Sequence, residues 1–388
     1  MKKRKIGLLP KVAVAIALGI LCGLFFPNWT VRIFTTFNGL FGDFLKFIIP
    51  LLILGLIAPG IAELGRGAGR LLVITVALAY GFTLFSGFFT YFGCSLAYPA
   101  LLQNAPSLTM IETVERGSTE AFFSISVLPL MDIMTALLLA FTLGLGMAVI
   151  GGNSLSKVLY DFRDIINKVI TGVIIPLLPL FIFGIFLEMT FAGKVAAVLG
   201  VFVKIIVVIF IMTVVLLLIQ YSIGGLVARK NPFPVLKCML TSYVTALGTQ
   251  SSAATIPVSL RQSIKAGIPE PIANFVIPLC HNIHLSGSTL KIVACAMAIM
   301  MTSGMEVSFV QFAGFIFMLG IAMVAAPGVP GGAIMTAIGI LQSMLGFGSE
   351  AIGLMIALYI AMDSFGTACN VTGDGSIAMI IERISKTK

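Results

Sequence analysis

The sequence predicts an all-α polytopic membrane protein, with eight transmembrane helices and two re-entrant helical hairpins arranged as inverted repeats. Three observations carry that expectation. The 388 residues are 59% hydrophobic and only 10% charged, with a mean hydropathy of +1.11, a profile foreign to soluble globular chains. Long apolar runs recur along the chain, each near or above the roughly 20 residues that one helical span needs. The loops between them also differ in charge from one side to the other.

The spans read as 8–27, 38–63, 71–97, 124–151, 165–191, 196–228, 272–300 and 350–381. The first follows the basic Met1-Lys-Lys-Arg-Lys5. It is long and lacks a small-x-small cleavage site, so it reads as a retained helix rather than a signal peptide, with Trp29 marking the outer interface after Pro27. Two further apolar stretches, 234–260 and 309–345, are interrupted at mid-length by small and proline residues and suit re-entrant hairpins. Loop charge supports the layout. Lys2 to Lys5, Arg66 and Arg70, Lys157 with Arg163, Arg229-Lys230, Arg261 with Lys265, and Arg383, Lys386 and Lys388 all fall on one side. Glu112, Glu115, Glu120, Glu188, Glu306 and Glu350 fall on the other, where Arg116 and Lys194 are the basic exceptions. Positive-inside bias then places the chain in the cell (inner) membrane with both termini cytoplasmic, the first hairpin entering from inside and the second from outside.

The net charge of +9 is accounted for by these helix ends and implies no nucleic-acid partner. The six cysteines sit mostly in apolar segments without metal spacing and read as small hydrophobes without disulfides. No phosphate-binding loop of the Walker type is present, and two histidines on one helix do not make a zinc site. The expectation is neither an enzyme nor an ATP-driven pump, and no cofactor beyond coupling ions.

Three constellations carry chemistry. On the last span, Asp363, Thr367, Asn370 and Asp374 are spaced i, i+4, i+7 and i+11, which puts them within a sector of roughly 60° on one helix face. Ionisable groups in a membrane are costly, so such a stripe reads as a site facing a solute. On the seventh span, His281, His284, Ser288 and Lys291 share one face, and the Asp363/Asp374 stripe is their obvious partner. The plainer alternatives are a structural Lys291–Asp363 ion pair, or a lysine that snorkels outward. The hairpins supply Thr249-Gln-Ser251-Ser252-Ala-Ala-Thr-Ile-Pro257, where Pro257 is expected to end the preceding helix, and Ala326-Pro-Gly328-Val329-Pro330-Gly-Gly-Ala333. Free backbone N–H groups and serine hydroxyls at such tips suit a carboxylate, while close packing of small residues is the plainer alternative. Paired broken segments of this kind point to a solute site between inverted repeats.

These motifs resemble the dicarboxylate/amino acid:cation symporter family, which includes the glutamate transporters. The resemblance runs nearly end to end. Lys46-Phe-Ile-Ile-Pro50 with Leu64-Gly-Arg66, Arg229-Lys-Asn-Pro-Phe-Pro234, the serine-rich tip, the Gly-Val-Pro-Gly tip and Asn370-Val-Thr-Gly-Asp374 are similar to its motifs. It implies a homotrimer whose protomers transport independently by an elevator motion. Residues 1–70 and 124–194 would form the scaffold and trimer contacts. Residues 71–97, 195–230 and 231–388 would form the mobile transport unit. Asp363 then falls on the contact to a substrate α-amino group and Asn370 on the contact to its α-carboxylate. Thr367, Ser251, Ser252, Ser288, Gly328, Val329 and Pro330 complete the substrate set. The cation set is Asp374, Asn370, His284, Ser286, Asn282 and Cys280, with Na+ held through Asn370 and Asp374.

The departures from that pattern set the expected substrate. Acidic-substrate members carry an arginine where this chain has Gly366 or, in others, Gln250. The fork for a side-chain carboxylate is absent, and the pattern is nearest the serine/threonine branch. The alternative is that Lys291 restores the charge and an acidic amino acid or dicarboxylate is carried. The family's Asn-Met-Asp-Gly-Thr motif aligns with His284-Leu-Ser286-Gly-Ser288, so a sodium site is expected to be lost or weakened, and a proton becomes a candidate coupling ion. The expected function is import of a small neutral amino acid on a cation gradient, sodium or proton. An uncoupled facilitator or anion channel is the competing reading.

Overall fold

A computed structural model describes residues 8–65, 70–102, 120–125, 127–150, 153–193, 195–326 and 330–386. Among these the regular structure is all helix, with no strand. The helices are α1 (Leu8–Phe25), α2 (Asn28–Gly65), α3 (Arg70–Leu102), α4 (Ile133–Ile150), α5 (Asn153–Val169), α6 (Ile175–Phe191), α7 (Val195–Ala228) and α8 (Phe233–Thr249). They continue as α9 (Ser252–Lys265), α10 (Glu270–Ile283), α11 (Ser286–Thr302), α12 (Phe309–Val324), α13 (Gly332–Leu345), α14 (Ser349–Ala361) and α15 (Asp363–Lys386). A π-helical turn, Ile170–Ile174, joins α5 to α6 without a break in the rod.

By length and composition, five helical runs among the described residues can cross a bilayer: Asn28–Ala62, Arg70–Leu102, Ser154–Phe191, Val198–Ala228 and Glu270–Thr302. A sixth is the pair Ser349–Ala361 and Asp363–Lys386, bent by 60° at Met362. The expected apolar segments are all helical, but four boundaries differ. The second helix begins at Asn28, ten residues earlier than the polar Asn38 suggested. The fourth begins at Ile133, because residues 120–125 and 127–132 are not helical; Thr36 of α2 accepts the Phe122 N–H. The seventh span is two helices separated at His284 and Leu285, so the expected single face over His281–Lys291 is not one helix face. Both residues leave helical dihedrals there (φ −97°, ψ 92° and φ −112°, ψ 44°). Pro257 does not end a helix but lies inside α9. The first hairpin instead turns at Gln250, which takes a left-handed φ of 54°, and at Ser251, whose hydroxyl caps α9 by accepting the Ala254 N–H.

The helices sort by what they bury. α11 and α15 carry the polar residues and are enclosed by other helices along nearly their whole length. α3, α7, α8, α9 and α10 pack around α15. α1 packs along α6, and α2 along α4, α5 and α6. Polar groups are thus kept from lipid, while outward faces carry residues such as Leu24, Val203, Val207 and Phe210. The α1–α6 seam uses Gly19 and Gly23, four residues apart. A Cβ on Gly19 would lie 2.7 Å from the Phe183 carbonyl oxygen, and one on Gly23 would lie 2.8 Å from that of Leu187. This is the small-x-x-x-small device for close helix contact in lipid. Gly23→Leu is expected to force α1 off α6 and cost about 2 kcal/mol, read as a lowered unfolding midpoint of the detergent-purified protein. An unchanged midpoint would refute the close seam.

Candidate substrate and coupling site

The bend at Met362 sets the upper half of the site. It ends α14 and lets Asp363 open α15, where a carboxylate suits the helix N-terminus. Asp363 Oδ2 accepts the N–H of Gly331, 2.8 Å away in the second hairpin. Its Oδ1 faces the ammonium of Lys291 at 3.3 Å. That lysine rises from α11, is fully buried, donates also to the Met362 carbonyl at 3.3 Å, and lies over the Tyr359 ring, 3.7 Å from its centroid. Below it, the Ser288 hydroxyl oxygen accepts from Tyr359 OH at 3.1 Å and from Asn370 Nδ2 at 3.0 Å.

Asn370 holds the break in the seventh span. The helix α11 begins after Leu285, which has no side-chain acceptor for the first N–H groups. Asn370 Oδ1 supplies one from α15, accepting from Gly287 N at 2.7 Å and Ser288 N at 3.3 Å. Ser86 of α3 donates to the Ser286 carbonyl at 2.7 Å.

The lower half centres on Asp374, which is fully buried. His284 Nδ1 lies 2.7 Å from Oδ1 and His281 Nδ1 lies 2.6 Å from Oδ2, the latter poorly aligned for a hydrogen bond. A carboxylate only accepts, so the His284–Asp374 hydrogen bond runs from Nδ1–H to Oδ1. On the far side of each ring, His281 Nε2 lies 3.0 Å from Ser259 Oγ and His284 Nε2 lies 3.4 Å from the Gln220 amide. Tyr221 donates to the Thr372 carbonyl at 2.7 Å.

The structure thus joins Asp363, Ser288, Asn370, Lys291 and the second hairpin into one network, and Asp374 with His284 into another. Ser252 and Thr367 are buried on α9 and α15, which pack together, and Ser251 caps α9. Pro330 precedes the Gly331 contact, whereas Gly328 and Val329 lie outside the described residues. Ser286 and Cys280 are buried; Asn282 faces outward and donates to the Pro278 carbonyl at 2.8 Å. Sequence reasoning missed Gln220, Tyr359 and Ser259, and had Gly331 only as part of the second hairpin's tip. Gln220 was findable, as a lone amide within the apolar α7 run; Tyr359 and Ser259 carry no local signal.

A sequence profile of the sodium:dicarboxylate symporter family matches residues 8–384. The chain belongs to that family. It is 28% identical over 399 aligned residues to the serine/threonine transporter SstT of Acinetobacter baylyi, covering 99% of this chain and 98% of that one. It is 29% identical to the protein of the same name from Streptococcus suis, covering 86% and 94% of the two chains, and 29% identical to that of Acinetobacter baumannii, covering 95% of each. Membership makes it a multi-pass membrane transporter.

The sodium ligands implied by the family resemblance are in part occupied by donors. Asn370 Oδ1 receives two backbone N–H groups and Asp374 Oδ1 faces His284 Nδ1, whereas Asp374 Oδ2 has no aligned donor. A sodium ion needs oxygens free of donors, so of these three atoms Asp374 Oδ2 alone is open to one. Asn370→Leu should leave the Gly287 and Ser288 N–H groups unpaired in a buried seam and cost about 2–4 kcal/mol. The measurement is the thermal midpoint in detergent, and a wild-type value would remove Asn370 from its capping role.

Proposed function

We propose that the protein is a secondary active symporter that imports a small neutral amino acid of the serine/threonine kind on a cation gradient. The observation that carries the reading is the Asp363–Gly331 hydrogen bond. It ties the second hairpin to the buried carboxylate best placed to receive an amine. A solute held by Asp363, Thr367, Asn370 and the serine tip of the first hairpin would draw both hairpins onto itself. Closure is then favoured in proportion to the solute's preference for the closed state. The serine/threonine transporters of similar sequence support the substrate class. Gly366 in place of a guanidinium supports a neutral side chain.

The coupling ion is read as a proton more readily than sodium. The cluster of Asp374, His281 and His284 already directs ring nitrogens at its oxygens, and a proton adds to such a cluster without a shell of oxygen ligands. An elevator motion within a homotrimer in the cell membrane fits the packing. α1, α2, α4, α5 and α6 would be the scaffold, and the helices around α15 the moving unit. The contact between α2, α4 and the α3/α12 face is apolar. It borders an open groove of about 440 Å³ lined by Ile61, Val73, Tyr80, Leu145 and Val324, an apolar surface suited to sliding.

Uptake of labelled serine into proteoliposomes tests the reading. Accumulation is expected under an inward proton gradient and to persist when choline replaces sodium. Uptake that never exceeds equilibrium would make the protein a facilitator. Asp363→Ala is expected to abolish serine uptake while the protein remains folded, and unchanged transport would refute the role of Asp363.

A further inference from the structure

Gly366 and Lys291 share one volume. A Cβ on Gly366 would collide with the Cε and Nζ of Lys291, so the lysine fills the space that a side chain on α15 would take. The ammonium is withdrawn against the backbone of α15, shut from solvent, and held by Asp363, the Met362 carbonyl and the Tyr359 face. It is not extended as an anchor for a second carboxylate, which weighs against an acidic substrate. Asp363 in turn has both oxygens engaged by groups of the chain, Lys291 on one and the Gly331 N–H on the other.

The geometry points to Lys291 as a specificity-determining residue: a tethered ammonium that competes with the solute's own amine for Asp363 and so relaxes the demand for an amine. This rests on the reading of Asp363 as the amine's partner. A free amine reaches Asp363 only by displacing Lys291, and the displaced ammonium keeps two partners, the Met362 carbonyl and the Tyr359 ring. The exchange replaces one ammonium by another on the same carboxylate, so its net gain is small. A hydroxycarboxylate without an amine leaves the pair intact and loses little. With an uncharged side chain at position 291, Asp363 would be a buried carboxylate without a cation, and only a solute with an amine would satisfy it.

The test is inhibition of labelled serine uptake in proteoliposomes of the full chain, by unlabelled serine and by 3-hydroxypropionate, which is serine without its amine. In the wild type the two inhibition constants should lie within about tenfold of each other. In Lys291→Met the ratio should widen to about a hundredfold or more in favour of serine. Gly366→Ala keeps the charge but pushes Lys291 off Asp363, and it should shift the ratio in the same direction. A wild-type ratio already near a hundredfold overturns the inference without any variant. A ratio unchanged in folded Lys291→Met or Gly366→Ala, as a purely structural ion pair would give, also overturns it. Strict amine demand with serine uptake intact sinks this inference alone. Absence of any serine uptake sinks the amino acid reading and this inference with it.

Discussion

Two aspartates buried in the first half of α15 must each find a positive or proton-bearing partner, and the centre of this protein is arranged around that need. Asp363 and Asp374 lie on α15 with no escape to water, and the cost of an unpaired buried charge is several kcal/mol. Lys291 answers the first and the two imidazoles answer the second. All three bases come from the α10–α11 unit, so that unit has to lie close along α15. Glycines make the approach available. A Cβ on Gly287 would sit 2.7 Å from the Gly366 carbonyl oxygen, and one on Gly373 would sit 2.8 Å from His284 Cε1 and 2.6 Å from Gln220 Oε1. The glycines along this seam are therefore vacancies reserved for the partners of the two carboxylates.

The same constraint explains why the seventh span is broken where no proline or glycine breaks it. His284 reaches Asp374 from a residue in extended conformation, and the helix restarts only because Asn370 accepts the first N–H groups of α11. An unbroken helix would leave Asn370 Oδ1 without these donors. The break is stabilised by a residue more than eighty positions away, through a contact that local propensity does not encode. Regular spacing over His281, His284, Ser288 and Lys291 therefore read as one helix face, although only Ser288 and Lys291 share a helix.

What was legible followed from the bilayer. Apolar runs and the stripe from Asp363 to Asp374 are demands of lipid on sequence, and both fall on helices of the structure. The serine and glycine-proline tips were legible as interruptions. At the first hairpin the punctuation was misassigned, since Pro257 sits in the interior of α9 while Gln250 in a left-handed conformation and the Ser251 cap make the turn. Gln220 was findable as the one amide in the mostly apolar α7, but its partner was not, since His284 lies 64 positions on and only the packing of α7 brings the two side chains together. Tyr359 gave no signal, because an aromatic ring in an apolar run is ordinary until a buried ammonium is found over its face.

The two carboxylates differ in what their partners permit. Asp374 is held by two imidazoles that are themselves placed by Ser259 and Gln220, so its surroundings are fixed by α7, α9 and α10. Asp363 is held by an ammonium that also rests on a carbonyl and an aromatic ring, and by the Gly331 N–H of the second hairpin. Between them, Lys291 lies on the Tyr359 ring, Tyr359 and Asn370 both donate to the Ser288 hydroxyl oxygen, and Asn370 accepts the Gly287 and Ser288 N–H groups beside the break at His284. These contacts run without a gap from the Asp363 pair to the residue that reaches Asp374, so the packing around one carboxylate bears on the packing around the other.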